Sequence, residues 1–104
     1  MSKLYHHKLY RDIFDENKHF FNKAEFYFWS DFDNIVRLWI TLYSNQYGYN
    51  RVEAAELKNE FEKELDLPNC IEMKHDLLNK RCEMRYDLSE EVATTLYGYL
   101  NLCK

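Results

Sequence analysis

The apolar positions of this chain recur mostly with helical spacing. In residues 3–16, Tyr5, Leu9 and Ile13 lie four positions apart, which places them on one face of an amphipathic helix. Three polar residues, Asp15-Glu16-Asn17, follow and end the periodic pattern. The pattern therefore predicts a short first helix.

Residues 20–29 fit two kinds of element. Phe20, Ala24 and Phe28 lie four positions apart, as they would along a buried helix. Read as a strand, the same segment would present aromatic side chains on both faces, which is the pattern of a strand buried on both sides. We favour the helix, because the sequence offers few other strands that could cover a central one.

A capping signal predicts the central helix of the domain. Ser30, followed three residues later by Asp33, has the form of a capping box. The helical stripe after it consists of Phe32, Ile35, Val36, Trp39, Tyr43 and Tyr47. Gly48 would end this helix in the left-handed conformation that favours glycine. Since residues 20–49 hold 11 of the 18 aromatic residues, this helix is expected to be the buried centre of the fold.

A second capping signal follows directly. Asn50 precedes an apolar periodic run and has Glu53 three residues on, while Tyr49 is placed to contact Ala54 as a hydrophobic staple. The residues expected to face inward are Ala54, Leu57, Phe61 and Leu65. The helix should stop before Pro68, because the residue before a proline disfavours helical geometry.

Residues 70–88 alternate between apolar and charged positions, which predicts a two-stranded hairpin with the loop at 77–80. Charge selects the register, since one alignment makes all three cross-strand pairs attractive and a slip of two residues makes all three repulsive. The attractive pairs are Asp76–Arg81, Lys74–Glu83 and Glu72–Arg85. A helix is the alternative, but three of its four i,i+4 charge pairs would repel.

A last helix begins at Ser89, where a capping serine precedes Glu90 and Glu91. Its apolar face consists of Val92, Ala93, Leu96, Tyr97 and Leu100. The low content of glycine (2) and proline (1) also favours helices over a turn-rich sheet protein. The sequence thus predicts a mainly α (α+β) fold: one compact helical domain over residues 1–104, built around the aromatic-rich helix, with the antiparallel hairpin at 70–88 before the C-terminal helix. An all-α bundle is the alternative.

Several features predict a cytoplasmic protein that does not enter a membrane. The N-terminal residues contain no apolar region of a signal peptide, and the longest apolar run, Phe26–Trp29, is too short to span a bilayer. The cysteines Cys70, Cys82 and Cys103 are odd in number and have no CxxC spacing, which fits a reducing compartment.

No motif indicates catalysis. The sequence has neither a glycine-rich phosphate loop nor a nucleophile motif around its serines. His6 and His7 are adjacent and would point about 100° apart on a helix, so they are not expected to share a metal. His75 and Cys82 would face each other in the hairpin, but Cys70 has the opposite strand parity and would not converge on them. We therefore expect no enzyme activity, no cofactor and no metal.

Acidic residues concentrate in the helix after Asn50. Residues 51–68 hold six acidic and three basic side chains, which accounts for −3 of the net charge of −4. Four of the acids form one stripe along the helix: Glu53, Glu56, Glu60 and Glu64. Repulsion between neighbouring members of the stripe costs about 0.2–0.5 kcal/mol per pair. Because the chain tolerates this cost, the stripe is expected to have a function. The alternative interpretation is a solvated face that Arg51 and Lys63 screen.

A basic protein is the partner that such a stripe would fit, with Tyr47 and Tyr49 as aromatic contacts at its end. The sequence therefore predicts a small acidic protein-binding module that inhibits or neutralises a basic partner such as a nuclease or toxin. Immunity proteins, antitoxins and phage-encoded inhibitors act in this way. Nucleic acid is not the expected partner, because affinity for phosphates comes from clustered Lys and Arg.

Two other interpretations remain open at this point. Helices followed by a hairpin and a final helix are also the layout of a winged-helix nucleic-acid-binding regulator, although the helix before the hairpin is then the most acidic element of the chain. The other interpretation is a homodimer, in which the last helix or the surplus of aromatic residues forms the subunit interface.

Overall fold

The computed structural model describes residues 6–12, 20–30, 34–44 and 48–102, and it shows an antiparallel sheet with two helices. The elements in chain order are β1 (His6–Asp12), β2 (Phe21–Ser30), β3 (Ile35–Ser44), α1 (Arg51–Glu64), β4 (Glu72–Asp76), β5 (Arg81–Ser89) and α2 (Glu90–Leu102). The five strands lie in the order β1-β2-β3-β5-β4, and all four pairings are antiparallel. The fold is therefore a five-stranded sheet with two helices, and the prediction of a mainly helical domain or an all-α bundle is wrong.

Both helices pack against one face of the sheet. Phe61 of α1 meets Phe26 of β2 edge to face, with 5.5 Å between the ring centroids. Tyr97 of α2 meets Phe28 in the same way at 5.6 Å. The strand residues on this face are buried, including Leu9, Val36, Leu38, Ile40, Leu42, Met84 and Tyr86. The core thus lies between the sheet and the two helices, and the opposite face, called the open face below, carries no helix from the described residues.

The segment 20–29, for which the sequence favours a helix, is strand β2, and the predicted central helix is strand β3, so both predictions are wrong. Residues four positions apart share a face in a strand as well as in a helix, so that spacing did not distinguish the two. Within β3, Val36 is buried, whereas Trp39 and Tyr43, which the helical stripe placed in the core, are half-buried on the open face. Its many β-branched and aromatic residues favour a strand.

Two other predicted boundaries are wrong for related reasons. Ser30 is the last residue of β2 and is buried, so it does not begin a helix, and Asp33 lies outside the described residues. Gly48 has a positive φ of 127°, but it follows a strand and caps no helix. The segment predicted as helix 3–16 contains β1, in which Leu9 is buried opposite Phe26. Tyr5 and Ile13 lie outside the described residues.

The second half of the chain folds as the sequence predicts. The Asn50 side chain accepts the backbone N–H groups of Val52 and Glu53 at 2.9 and 3.1 Å and so caps α1. The hairpin of β4 and β5 has the register that charge selected, with the residues of all three predicted pairs directly opposite each other and the loop at 77–80. Of these pairs, Asp76 and Arg81 form an ion pair at 3.7 Å. Ser89 Oγ accepts the N–H of Val92 at 3.2 Å at the start of α2. Among the described residues, neither helix is both long and apolar enough to cross a membrane.

Candidate functional site

The predicted acidic stripe does not form one continuous surface, because Glu53 points into the protein. Its side chain is 7 % exposed. Its Oε2 accepts the backbone N–H groups of Phe20 and Phe21 at 3.1 and 2.9 Å. Two backbone donors at the start of β2 are thereby satisfied by the first turn of α1. Glu53 therefore joins sheet to helix and is not available to a partner.

Glu64, at the other end of the stripe, is held by the first strand. Its carboxylate accepts two hydrogen bonds from the Arg11 guanidinium at 2.9 and 2.8 Å and a third from the Tyr99 hydroxyl at 3.2 Å. The Arg11 hydrogen bonds lower the pKa of Glu64 below its ordinary value, although burial acts in the opposite direction. This bidentate pair fixes the end of α1 against β1.

Glu56 and Glu60 are the middle members of the stripe, and both are exposed on α1. The two tyrosines predicted to flank the stripe do not extend it. Tyr49 packs edge to face against Phe21 and His75, with ring centroids 5.3 and 5.6 Å away. Tyr47 lies outside the described residues.

Tyr49 belongs instead to a polar network beneath the β4–β5 hairpin. Its hydroxyl hydrogen-bonds to Nδ1 of His75, which stands opposite Cys82 in the hairpin. Burial raises the pKa of Tyr49 and of Cys82, and burial also lowers the pKa of His75. His75 is thus favoured as the neutral imidazole, and Tyr49 as the neutral phenol that can donate to it.

This arrangement predicts that the folded protein loses stability as the pH falls through the range where histidine titrates. Because the pKa of His75 is lower in the folded state, the unfolded chain takes up a proton first, at about pH 6.5, and stability declines below that value. We expect the His75→Gln variant to show a smaller loss in unfolding free energy between pH 7.5 and 5.5, measured by urea denaturation. Tyr49→Phe, which keeps the ring and removes the hydroxyl, is the comparison variant. An equal loss in the wild type and in His75→Gln would contradict the prediction.

A second buried polar group lies nearby, between α1 and β5. The hydroxyl of Tyr86 donates to Glu62 at 2.7 Å, and Lys58 pairs with the same carboxylate at 2.8 Å. Burial alone would raise the pKa of Glu62, but the hydrogen bonds from Lys58 and Tyr86 outweigh it and lower that pKa. Glu62 is therefore a paired structural carboxylate, and it is not part of an exposed acidic surface.

The helical layer as a whole is nevertheless the acidic side of the molecule. Residues 51–66 and 90–102 hold eight acidic and three basic side chains, a net charge of −5 compared with −4 for the whole chain. Glu53, Glu62 and Glu64 hold other parts of the fold, as described above. Of the remaining acids, four are exposed: Glu56, Glu60, Asp66 and Glu91.

A groove runs between the C-terminal end of α1 and α2. It has a volume of about 410 Å³, and its lining includes three acidic residues and no basic one. The acids are Glu64, Asp66 and Glu91, and the apolar part of the lining includes Leu65, Val92, Leu96 and Tyr99. Tyr99 and Val92 are 43 % and 45 % exposed, so apolar surface is available inside an acidic rim.

The open face of the sheet is the surface that the sequence analysis missed. Its half-buried side chains alternate with the core residues of β2, β3 and β5. The aromatic ones on the two longest strands are Tyr27, Trp29, Trp39 and Tyr43. Basic groups lie over several of the rings of this face: Lys23 over Tyr10 at 4.2 Å, Arg37 over Trp29 at 5.0 Å and Arg85 over Trp39 at 5.8 Å.

At the middle of the open face the small side chain of Thr41 is surrounded by larger ones. Glu25 and Glu83 are its cross-strand partners on either side, and Trp39 and Tyr43 are its neighbours along the strand. These residues, with Tyr27 and Arg81, line a depression of about 500 Å³. The depression exists because a threonine cannot fill the space between two aromatic rings and two long carboxylates.

No group of three or more His, Cys, Asp or Glu side chains in the described part of the chain is placed to hold a metal ion.

Comparison of the chain with models of known protein families, with curated proteins and with solved structures found no match.

Proposed function

We propose that this protein is a cytoplasmic, non-catalytic binding module that inhibits or neutralises a basic protein partner such as a nuclease or toxin. The concentration of net negative charge on the helical layer is the observation that supports this function best. Charge of one sign on one side of a small protein speeds encounter with an oppositely charged partner and selects against acidic ones.

The proposed contact surface differs from the predicted one. It keeps Glu56 and Glu60, omits the structural Glu53, and extends over the acidic rim of the groove to Asp66 and Glu91. Tyr99 takes the place of Tyr47 and Tyr49 as the exposed aromatic residue of the surface. Binding energy in protein interfaces comes mainly from such apolar and aromatic contacts, while charges around them govern selectivity and association rate.

The basic segment of the partner would accordingly combine Lys or Arg with an apolar side chain that enters the groove.

The winged-helix alternative has lost its basis, since β1, β2 and β3 occupy the positions where that layout requires helices.

The proposal predicts a strong effect of neutralising the exposed carboxylates. The candidate partners are the basic products of the genes adjacent to this one and any basic protein cross-linked to it in cells, each purified and titrated calorimetrically. We expect Glu56→Gln/Glu60→Gln or Asp66→Asn/Glu91→Gln to weaken binding at least about tenfold and to reduce its dependence on salt.

Leu77→Lys/Leu78→Lys is the matched control, because it makes the same change in net charge at the exposed hairpin loop, away from the helical layer. It should alter affinity by no more than about twofold. The proposal is wrong if no basic candidate binds more tightly than about 10 µM, or if the control weakens binding as much as the carboxylate variants do.

A further inference from the structure

The depression around Thr41 combines aromatic rings with carboxylates, two kinds of group that attract organic cations. Three aromatic rings contribute to its walls, those of Tyr27, Trp39 and Tyr43. The electron-rich faces of such rings attract cations, and the attraction strengthens when the cation is partly desolvated. Tyr27 and Trp39 are directly paired across β2 and β3, so their rings stand side by side at one end of the depression.

Two carboxylates flank the floor of the depression. Glu25 on β2 and Glu83 on β5 are both paired with Thr41, so the acids lie on opposite sides of one small residue. Glu25 accepts a hydrogen bond from the Tyr43 hydroxyl at 2.9 Å, which fixes the orientation of both side chains. Burial, with this hydrogen bond, raises the pKa of Tyr43 to about 12 and keeps it a neutral donor.

The one basic group that lines the depression, Arg81, pairs with Glu83, so the charge of Glu83 is already compensated. Arg81 Nε lies 3.3 Å from Glu83 and 3.7 Å from Asp76, the residue opposite it in the hairpin. Arg85, four residues further along the same face of β5, pairs with Asp87 at 3.3 Å and lies over the Trp39 ring at 5.8 Å. Glu25 lies on β2, two strands away from Arg81 across β3, and is the carboxylate that a bound cation would meet.

From this geometry we propose that the depression binds one organic cation, a quaternary ammonium or alkylguanidinium group, against Trp39 and Tyr43 and beside Glu25. The site lies on the face opposite the helical layer and does not rest on the proposed function. The cation can come from two sources: a small free molecule such as choline, or a methylated lysine or arginine side chain of a polypeptide.

Titration with choline and with its neutral isostere 3,3-dimethylbutan-1-ol tests the charge requirement, because the two differ in charge at nearly equal shape. Binding is followed by calorimetry and by tryptophan fluorescence, to which only Trp29 and Trp39 contribute. We expect choline to bind with a dissociation constant in the millimolar range and the isostere to bind at least about fivefold more weakly.

Variants on the same face locate the site. Trp39→Leu and Glu25→Gln should each weaken choline binding by at least about fivefold. Trp29→Leu is the matched control, since Trp29 is also a half-buried tryptophan of the open face but does not line the depression. It should leave the affinity unchanged. Far-UV circular dichroism and the urea midpoint identify any variant that fails to fold; if one of the two does, the other decides the outcome.

Peptides that carry one trimethyllysine or one arginine distinguish the two sources. A peptide that binds at least about tenfold more tightly than choline indicates a polypeptide ligand, and equal affinity indicates a free cation. The proposal is overturned if no cation binds saturably, if the neutral isostere binds as well as choline, or if Trp29→Leu weakens binding as much as Trp39→Leu.

Discussion

Replacing Glu53 with alanine should lower the free energy of unfolding by about 2–4 kcal/mol, a large effect for a single substitution. The carboxylate is buried and accepts the N–H groups of both Phe20 and Phe21. Its removal leaves two backbone donors at the start of β2 without an acceptor, and the space is too enclosed for water to replace a full side chain readily. Urea denaturation at pH 7 measures the difference.

Glu53→Gln and Glu56→Ala are the informative comparisons. Glutamine keeps one acceptor oxygen and the shape of the side chain, so it should cost less than alanine does. Glu56 lies three residues further along α1 but is exposed, and its replacement should change stability by no more than about 0.5 kcal/mol. If Glu53→Ala were as mild as Glu56→Ala, the link between β2 and α1 would not be important for stability.

The second large effect concerns neighbouring aromatic residues in β2. Phe26→Ala should cost about 3–5 kcal/mol, because Phe26 is 1 % exposed and packs against Phe61 in the core. Tyr27→Ala should cost about 1 kcal/mol, because the next side chain of a strand lies on the opposite face and Tyr27 is only half-buried there. Denaturant unfolding of both variants under one set of conditions gives the comparison.

Phe28→Ala and Trp29→Ala repeat the test two residues along, with Phe28 fully buried and Trp29 half-buried. A strand predicts large, small, large and small losses over the four consecutive positions. Comparable losses at Phe26 and Tyr27 would mean that the segment is not a strand with one buried face.

The sequence alone specifies the second half of this fold better than the first half. In the β4–β5 hairpin the information is local: three charge pairs select one register, and the chain adopts it. The start of α1 is equally local, because Asn50 caps the helix within its own first turn. Such signals depend on residues a few positions apart, so they can be recognised without knowledge of tertiary contacts.

The strands β2 and β3 were mistaken for helices because both of their faces carry large apolar groups. Aromatic residues on the open face, such as Trp29 and Trp39, hide the period of two that would have revealed the strands. The low glycine and proline content reinforced the error. The period of two was nevertheless present in β3, because Arg37, Trp39, Thr41 and Tyr43 occupy every second position. Together these four residues would have indicated the open face.

The candidate site was predictable only in part for a different reason. Helical periodicity correctly places Glu56 and Glu60 on an exposed side of α1, but it cannot show what the ends of the stripe contact. Glu64 meets Arg11 from β1, and Glu53 meets the backbone of Phe20 and Phe21. These partners are distant in sequence, and only the folded sheet brings them to the helix.

The strand order also has a consequence for how the chain reaches its fold. The meander β1-β2-β3 and the hairpin β4-β5 each form from neighbouring segments, yet they join through β3 and β5, which are separated in sequence by α1 and β4. Closing that long loop costs entropy before its contacts can form, so the pairing of β3 with β5 is the slow step expected of such a topology. The core and the depression around Thr41 both span this junction. The two halves of the sheet can therefore assemble early, whereas the depression proposed to bind a cation exists only after the last pairing closes.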